Sequence, residues 1–211
     1  METARLVILF ALACSAAVGA PTPDDCAPLV TPLSLDDRQQ MFGQKNFISA
    51  FTDDAAYNAI LRVTESTRVT LSAAAHNDKD VVLYEEMKMN GTCYGTRVNI
   101  SIDGDVASTQ MRDISSRFHL LPTCDGCQVL SINSTARNLK TFLEAFNIHL
   151  DEAVDDEIAV RALYLFGNHV SDADLQRFQK QASCLGFSGE PVFTMDPKKE
   201  FCDGHKIIMI S

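Results

Sequence analysis

The amino-acid sequence predicts an all-β fold: an eight-stranded antiparallel up-and-down barrel, with a C-terminal α-helix packed outside and a short helix between strands seven and eight. Asn90-Gly91, Asp103-Gly104 and Asp125-Gly126 each separate two segments of alternating apolar residues, which is the strongest short-range signal for a hairpin. Three hairpins in succession describe a meander, and a meander of this length removes its exposed edges by closing into a barrel. Apolar residues at helical spacing in 136–146 and 171–183 predict the two helices.

The strands are assigned in chain order from this pattern. They are predicted at residues 41–53, 60–73, 81–89, 92–102, 105–112, 116–124, 127–132 and 157–166. Together with the outer helix they make a barrel unit over 41–187, preceded by an irregular, proline-rich arm at 21–40 and followed by a disulfide-tethered tail at 188–211. A single helical turn is expected at 36–42, just before the first strand.

The first 20 residues have the pattern of a secretory signal peptide, with Arg5, an apolar run over 6–13 and the small residues Val18-Gly19-Ala20. The apolar run is too short for a transmembrane helix, so no membrane insertion is expected. We therefore expect a secreted protein that begins near Pro21. The formal net charge of −10 disfavours nucleic acid as a partner.

The expected mature chain contains an even number of cysteines, which in an oxidising compartment predicts three disulfides. The predicted register points Cys93 outward, which suggests Cys93–Cys202 and Cys26–Cys184 and leaves Cys124–Cys127 across a turn. Three Asn-X-Ser/Thr sequons predict glycosylation at Asn90, Asn99 and Asn133, each of which must then face solvent.

A glycan on Asn99 fixes which side chains of its strand face the barrel interior. Thr96 and Val98 then point inward, and a two-residue turn at Asn90-Gly91 places Glu85 opposite Thr96. A carboxylate on an apolar inner face needs a basic neighbour, water or a cationic ligand. Arg117 is the predicted neighbour; the alternative is a register slip by one residue that makes Glu85 an ordinary surface acid.

The candidate ligand-contacting residues combine this inner face with aromatic and polar side chains on the other strands. They are Phe47, Phe51, Leu83, Glu85, Met87, Thr96, Val98, Thr109, Arg117 and His119. No catalytic residue, metal site or cofactor is predicted, because the histidines lack ligand spacing and the Cys124-Asp-Gly-Cys127 pair lies on a turn without a basic neighbour. An enzyme is therefore not expected.

Several segments together resemble the lipocalin superfamily. Within it the chain is most similar to the α1-acid glycoprotein (orosomucoid) branch and its fish relatives, which include saxitoxin/tetrodotoxin-binding and tributyltin-binding plasma proteins, with apolipoprotein M nearby. The segments are Cys26-Ala-Pro-Leu, Met41-Phe-Gly with Asn46-Phe47, Asn90-Gly-Thr-Cys93, Leu121-Pro-Thr-Cys-Asp-Gly-Cys127, Ser131-Ile-Asn-Ser-Thr135, Arg161-Ala-Leu-Tyr-Leu165 and Ala182-Ser-Cys-Leu-Gly-Phe187. The chain departs from the family at the barrel floor: Gln44-Lys45 follows Gly43 where the family has X-Trp, and Asn168 stands where the family has an arginine.

The resemblance implies a secreted, monomeric plasma glycoprotein that carries small hydrophobic or cationic ligands, such as lipids, steroids, xenobiotics or toxins. The alternative is an acute-phase or immunomodulatory protein that acts through glycans and protein contacts, with a barrel filled by its own side chains. The resemblance also puts the helix at 136–146 near the open end of the barrel. It would serve there as a lid or pack on the barrel flank.

Overall fold

The computed structural model describes residues 21–75, 80–146, 148 and 155–210, so the predicted signal peptide lies outside the described residues. Eight strands within these ranges close the predicted antiparallel barrel, in which each strand pairs with the next, β8 returns to β1 and β4 pairs with β5. They are β1 (Gly43–Thr52), β2 (Thr64–Ala73), β3 (Asp80–Met89), β4 (Thr92–Asp103), β5 (Val106–Met111), β6 (Ile114–Leu121), β7 (Gln128–Arg137) and β8 (Glu157–Gly167). The all-β, up-and-down prediction is confirmed.

Four helices decorate the barrel in the described chain: α1 (Pro23–Val30), α2 (Ala55–Val63), α3 (Leu139–Ala145) and α4 (Asp172–Cys184). A 3₁₀ turn over Arg38–Met41 precedes β1, as expected. The sequence did not predict α1 or α2. The carboxylate of Asp54 starts α2 by accepting hydrogen bonds from the backbone N–H groups of Ala56 and Tyr57, a cap that the strand assignment for 60–73 overlooked.

The third predicted hairpin turn is wrong. As a result, the side chains of β6 that were predicted to face the interior face outward. Leu121 pairs with Val129 in the structure, so a longer loop around Asp125-Gly126 replaces the two-residue turn. The pairing moves by one residue relative to the prediction, and such a shift carries every side chain to the opposite face. Arg117 and His119 therefore point away from the interior, and their predicted contact with a ligand is corrected.

The other two turns leave the predicted inner faces intact. Met89 pairs with Thr92 across Asn90-Gly91, as predicted. Asp103 pairs with Val106, so the turn is Gly104-Asp105, one residue later than predicted. Because this moves the pairing by two residues, the same side chains of β5 still face inward.

Phe51 was predicted to contact ligand, but it lies on the outside of the barrel. The pairing of β1 with β8 shifts between Phe47 and Ser49, which changes the alternation along β1. Phe47 remains inside, with its ring 4.6 Å from that of Phe193 and 5.0 Å from that of Tyr164. Phe51 instead contacts Phe178 of α4, with ring centroids 5.6 Å apart.

α4 covers the outer face of β1, β7 and β8. Its Phe178 and Ala182 pack with Leu163 and Leu165 of β8, all at most 2% exposed. Gln181, which is 1% exposed, donates hydrogen bonds of 2.8 Å to the carbonyls of Leu29 and Pro122. The amide of Gln181 thereby joins α4 to the end of α1 and to the β6–β7 loop.

Replacing Gln181 with leucine is expected to lower the free energy of unfolding by about 2 kcal/mol. The reason is that the carbonyls of Leu29 and Pro122 then lose their hydrogen-bond donor in a buried environment. Urea denaturation followed by circular dichroism measures the loss. The matched control is Gln179→Leu on the exposed side of α4, where one amide donates to Gly189. Equal losses in the two variants would contradict the assignment.

Lys45 and Asn168 lie at the barrel floor, at the two positions where the resemblance implies tryptophan and arginine. Lys45 is 6% exposed, and its ammonium group donates to the carbonyl of Phe42 at 3.2 Å; burial lowers its pKa. Gln128 donates to the carbonyl of Met41 at 2.8 Å, and Asn168 donates to the carbonyl of Gln44 at 2.9 Å. Hydrogen bonds to backbone carbonyls thus hold the floor in place.

Three disulfides join the cysteines of the described chain: Cys26–Cys184, Cys93–Cys202 and Cys124–Cys127. The C-terminal segment forms two short strands that pair with the barrel, β9 (Phe193–Thr194) and β10 (Ile207–Ile210). β9 pairs with β1, and β10 pairs in parallel with β4.

Candidate functional site

The barrel interior has two dense ends and a looser middle. At the floor, inward-facing Val81, Ile100 and Ala107 are at most 2% exposed. In the middle, several inward-facing side chains are only partly buried. They include Leu83, Glu85, Met87, Val98, Met111, Ser116, Ile132 and Tyr164.

Glu85 lies in this middle layer, between Val69 and Thr96 on the neighbouring strands. Burial alone raises the pKa of its carboxyl group to about 7, because a charge is poorly solvated inside the barrel. Among the described residues no cation lowers that pKa and no side chain donates a hydrogen bond to the carboxylate. The predicted partner, Arg117, is exposed on the outer face. Glu85 is therefore an inward carboxylate with its charge uncompensated.

Tyr164 of β8 lies close to this carboxylate. Burial raises the pKa of Tyr164, and the charges of Tyr57 and Glu85 raise it further, so its hydroxyl stays protonated. A protonated phenol offers a hydrogen-bond donor, and its ring offers a face for a cation. The sequence alone gave no reason to select Tyr164.

A second polar group enters the barrel from α2. Tyr57 forms a hydrogen bond with Ser134 of β7, and burial, followed by the charge of Asp54, raises its pKa to about 12. The Ser134 hydroxyl lies 2.7 Å from that of Ser116 on β6. Sequence reasoning missed these residues because α2 was not predicted and β6 was assigned the wrong face.

α2 and α3 close the mouth of the barrel. The connections after β1, β3, β5 and β7 share one end, since hairpins alternate ends. Leu139, Leu143 and Phe146 pack there with inward residues of the strands; the rings of Phe146 and Tyr94 are 4.7 Å apart. The helix predicted at 136–146 therefore lies over the mouth as a lid, in preference to the flank.

The structure separates the predicted contact residues into two groups. Those on the inner face are Phe47, Leu83, Glu85, Met87, Thr96, Val98 and Thr109. Phe51, Arg117 and His119 lie outside, and the Nδ1 atom of His119 is 3.0 Å from the carbonyl oxygen of Asp105. Thr96 and Met111 lie on the neighbouring strands β4 and β5, with 3.4 Å between Oγ1 and Sδ.

The outer surface carries grooves and the three sequons. Asn90, Asn99 and Asn133 are all exposed. A groove of about 410 Å³ beside Asn133 is lined by Asp53, Arg117 and Arg161, but Asp53 and Arg161 neutralise each other at 2.7 Å. The interior, where a buried charge has no partner, is the stronger candidate site. Across the described ranges, every helix is too short or too polar to cross a membrane.

The chain matches known proteins in three-dimensional structure. No family model and no curated protein matches the sequence. The siderocalin Q83 aligns with a TM-score of 0.56 and 13% identity over 79% of this chain and 95% of its own. The siderocalin Ex-FABP aligns at 0.55 and 12% over 75% and 97%, and the odorant-binding protein OBP1 at 0.50 and 12% over 74% and 90%. The chain therefore has the lipocalin fold.

Proposed function

We propose that the protein is a secreted plasma glycoprotein that carries a small ligand, apolar with a cationic group, inside its barrel. The observation that carries the proposal is Glu85, an inward carboxylate without a compensating charge in the described chain. Leaving such a group unpaired costs free energy unless it is neutralised. A cationic ligand supplies the missing charge and recovers that free energy.

The surroundings of Glu85 define the chemistry of the ligand. Leu83 and Val98 give an apolar wall, while Met87 and Met111 give surfaces that adapt to irregular shapes. Tyr164 offers a ring face and a hydroxyl beside the carboxylate. This combination suits an amine, a guanidinium compound or an organometal cation with a compact apolar body.

Secretion and glycosylation are supported by independent features. The disulfides suit an oxidising compartment, and all three sequon asparagines are exposed, as glycan attachment requires.

Two proteins of similar shape are described as having dual ligand specificities and a dual ligand binding mode. We propose that the carrier acts as a monomer, with no nucleic-acid partner.

Native mass spectrometry of the deglycosylated mature protein tests the proposal. The protein is mixed separately with a neutral steroid, a fatty acid, a guanidinium toxin and an organotin cation. We expect one-to-one adducts, with the cations retained at the highest collision energy. Absence of any adduct would refute the carrier function and favour the protein-contact alternative, in which the barrel is mainly structural.

A further inference from the structure

The C-terminal strand completes the barrel wall beside the mouth. β4 and β5 pair only through 101–103 and 106–108 in the described chain. Continuing that register puts Met111, the last residue of β5, opposite Val98. Residues 93–95 of β4 thus extend beyond the tip of the β5–β6 hairpin, and residues 93–96 pair with β10.

β10 is fitted closely to this edge. A Cβ atom at Gly95 would lie 2.7 Å from Cγ2 of Ile207 and 2.9 Å from Sδ of Met209, so glycine is what lets β10 approach. Ile210 joins the cluster of apolar side chains that closes the mouth, together with Tyr94 and Met87. β10 is therefore part of the wall that separates the mouth end of the cavity from solvent.

The attachment of β10 to this edge is nevertheless short. Four residue pairs join β10 to β4, compared with ten between β7 and β8 and ten between β3 and β4. Ile208 and Met209 are 48% and 55% exposed, so little apolar surface holds the strand. Short elements with exposed backbone hydrogen bonds open locally at a fraction of the global unfolding free energy.

The segment before β10 is firmly anchored. Cys202 is bonded to Cys93, and Asp203 accepts two hydrogen bonds from Arg68, at 2.7 and 3.1 Å. The guanidinium of Arg68 also lies 4.4 Å from the centre of the Phe201 ring. When β10 detaches, these contacts keep it within reach of β4, so that it can close again.

We propose that β10 is a tethered gate, and that small molecules pass between solvent and the barrel interior when its four residues detach from β4. The identity of the molecule that passes rests on the proposed carrier function, whereas the gate itself does not. α2 and α3 stay packed on the mouth cluster while the gate opens. The proposal predicts that the exchange rate of the cavity contents depends on Ile210 and Gly95, which lie outside the middle layer.

The test measures access to the interior without using a ligand. In Met87→Cys, a thiol replaces the inward side chain that pairs with Tyr94, and its alkylation by iodoacetamide reports entry of a small molecule. Ending the chain after His205 keeps the disulfide of Cys202 and removes β10. Alkylation is expected to become about tenfold faster or more, because a local opening step is removed. Equal alkylation rates in the full-length and the truncated Met87→Cys proteins would overturn the gate proposal.

Point variants of the full chain make the same test without truncation. Gly95→Val and Ile210→Ser should each accelerate alkylation, whereas Ile208→Ser, at an exposed position of the same strand, should not. In the truncated chain Gly95→Val should have no further effect. An effect of Gly95→Val that is equal in both chains would show that it acts on the barrel and would also overturn the proposal.

Ligand exchange then separates the gate from the carrier function. Faster alkylation together with no binding of any panel compound would support the gate and refute the carrier. Binding with dissociation and alkylation rates unchanged by truncation would support the carrier and refute the gate.

Discussion

Replacing Glu85 with glutamine is expected to weaken binding of a cationic ligand by about tenfold to a hundredfold, because a hydrogen bond to a charged group contributes about 1.5–3 kcal/mol. Glutamine keeps the size and polarity of the side chain, so a neutral ligand of similar volume should change by less than about threefold. Isothermal titration calorimetry of an organic cation and its neutral isostere measures both effects. Equal losses for the two ligands would refute the role of Glu85.

The matched control is Glu86→Gln. Glu86 is adjacent in sequence, alternates to the outer face of β3 and accepts a hydrogen bond from the hydroxyl of Tyr84 at 3.2 Å. The Glu86→Gln substitution removes the same formal charge from the protein but leaves the interior unchanged. A loss of cation affinity in Glu86→Gln as large as in Glu85→Gln would assign the effect to the overall charge.

The pH dependence of the Glu85 effect has a definite sign. The pKa of Glu85 is about 7 in the folded protein and 4.5 in its ordinary state, so the empty protein loses the negative charge as pH falls below 7. Affinity for a permanently charged cation should therefore fall by about one to two orders of magnitude from pH 8 to pH 5. Glu85→Gln should remove most of that dependence.

The same shift affects the stability of the empty protein in the opposite direction. A carboxyl with a raised folded-state pKa holds more protons when folded, so its favourable contribution is complete below pH 4.5 and is lost as pH rises through about 7. Above pH 7, Glu85→Gln should be more stable than the natural chain by up to about 3 kcal/mol. Urea titrations at pH 5 and pH 8 provide this internal control.

Removing the Cys26–Cys184 disulfide is expected to have the largest effect on stability. Replacing both cysteines with serine should lower the free energy of unfolding by about 5 kcal/mol in the chain-entropy model, because the bond closes a loop of 158 residues. The bond also joins α1 to α4, whose Gln181 contacts the end of α1. Guanidinium denaturation of the double-serine variant under non-reducing conditions measures the loss.

The Cys124–Cys127 disulfide is the matched control, since its sequence separation is 3. The same model predicts a loss of about 2 kcal/mol for its double-serine variant. If the two losses were equal, loop entropy would not be the origin of the stabilisation. Native packing of α1 on α4 would then be the better explanation.

Most of the fold could be predicted from local signals in the sequence. Asn90-Gly91 determined both the turn and the pairing of β3 with β4, because a two-residue turn leaves one register available. Glu85 could be placed inside from that register together with the sequon at Asn99, which must face outward. Asp125-Gly126 gave an equally strong local signal but lies in a longer loop that leads to Leu121 and Val129, so the face of β6 could not be deduced from it.

The candidate site was predictable only on the strands whose register was correct. Tyr164 of β8 lies close to Glu85 of β3 and to Tyr57 of α2, and this arrangement depends on the closure of the barrel. The position of Phe51 depends on an irregularity in β1, for which the sequence gives no marker.

By itself, the sequence predicted the strand order, the number of disulfides and an inward Glu85, since these depend on turn residues, an even cysteine count and the alternation fixed by the sequon at Asn99. The tertiary structure alone decided that Arg117 leaves Glu85 unpaired, that α2 and α3 close the mouth, and that β10 completes the wall against Gly95. These outcomes depend on contacts between segments far apart in the chain, which become defined only when the barrel closes.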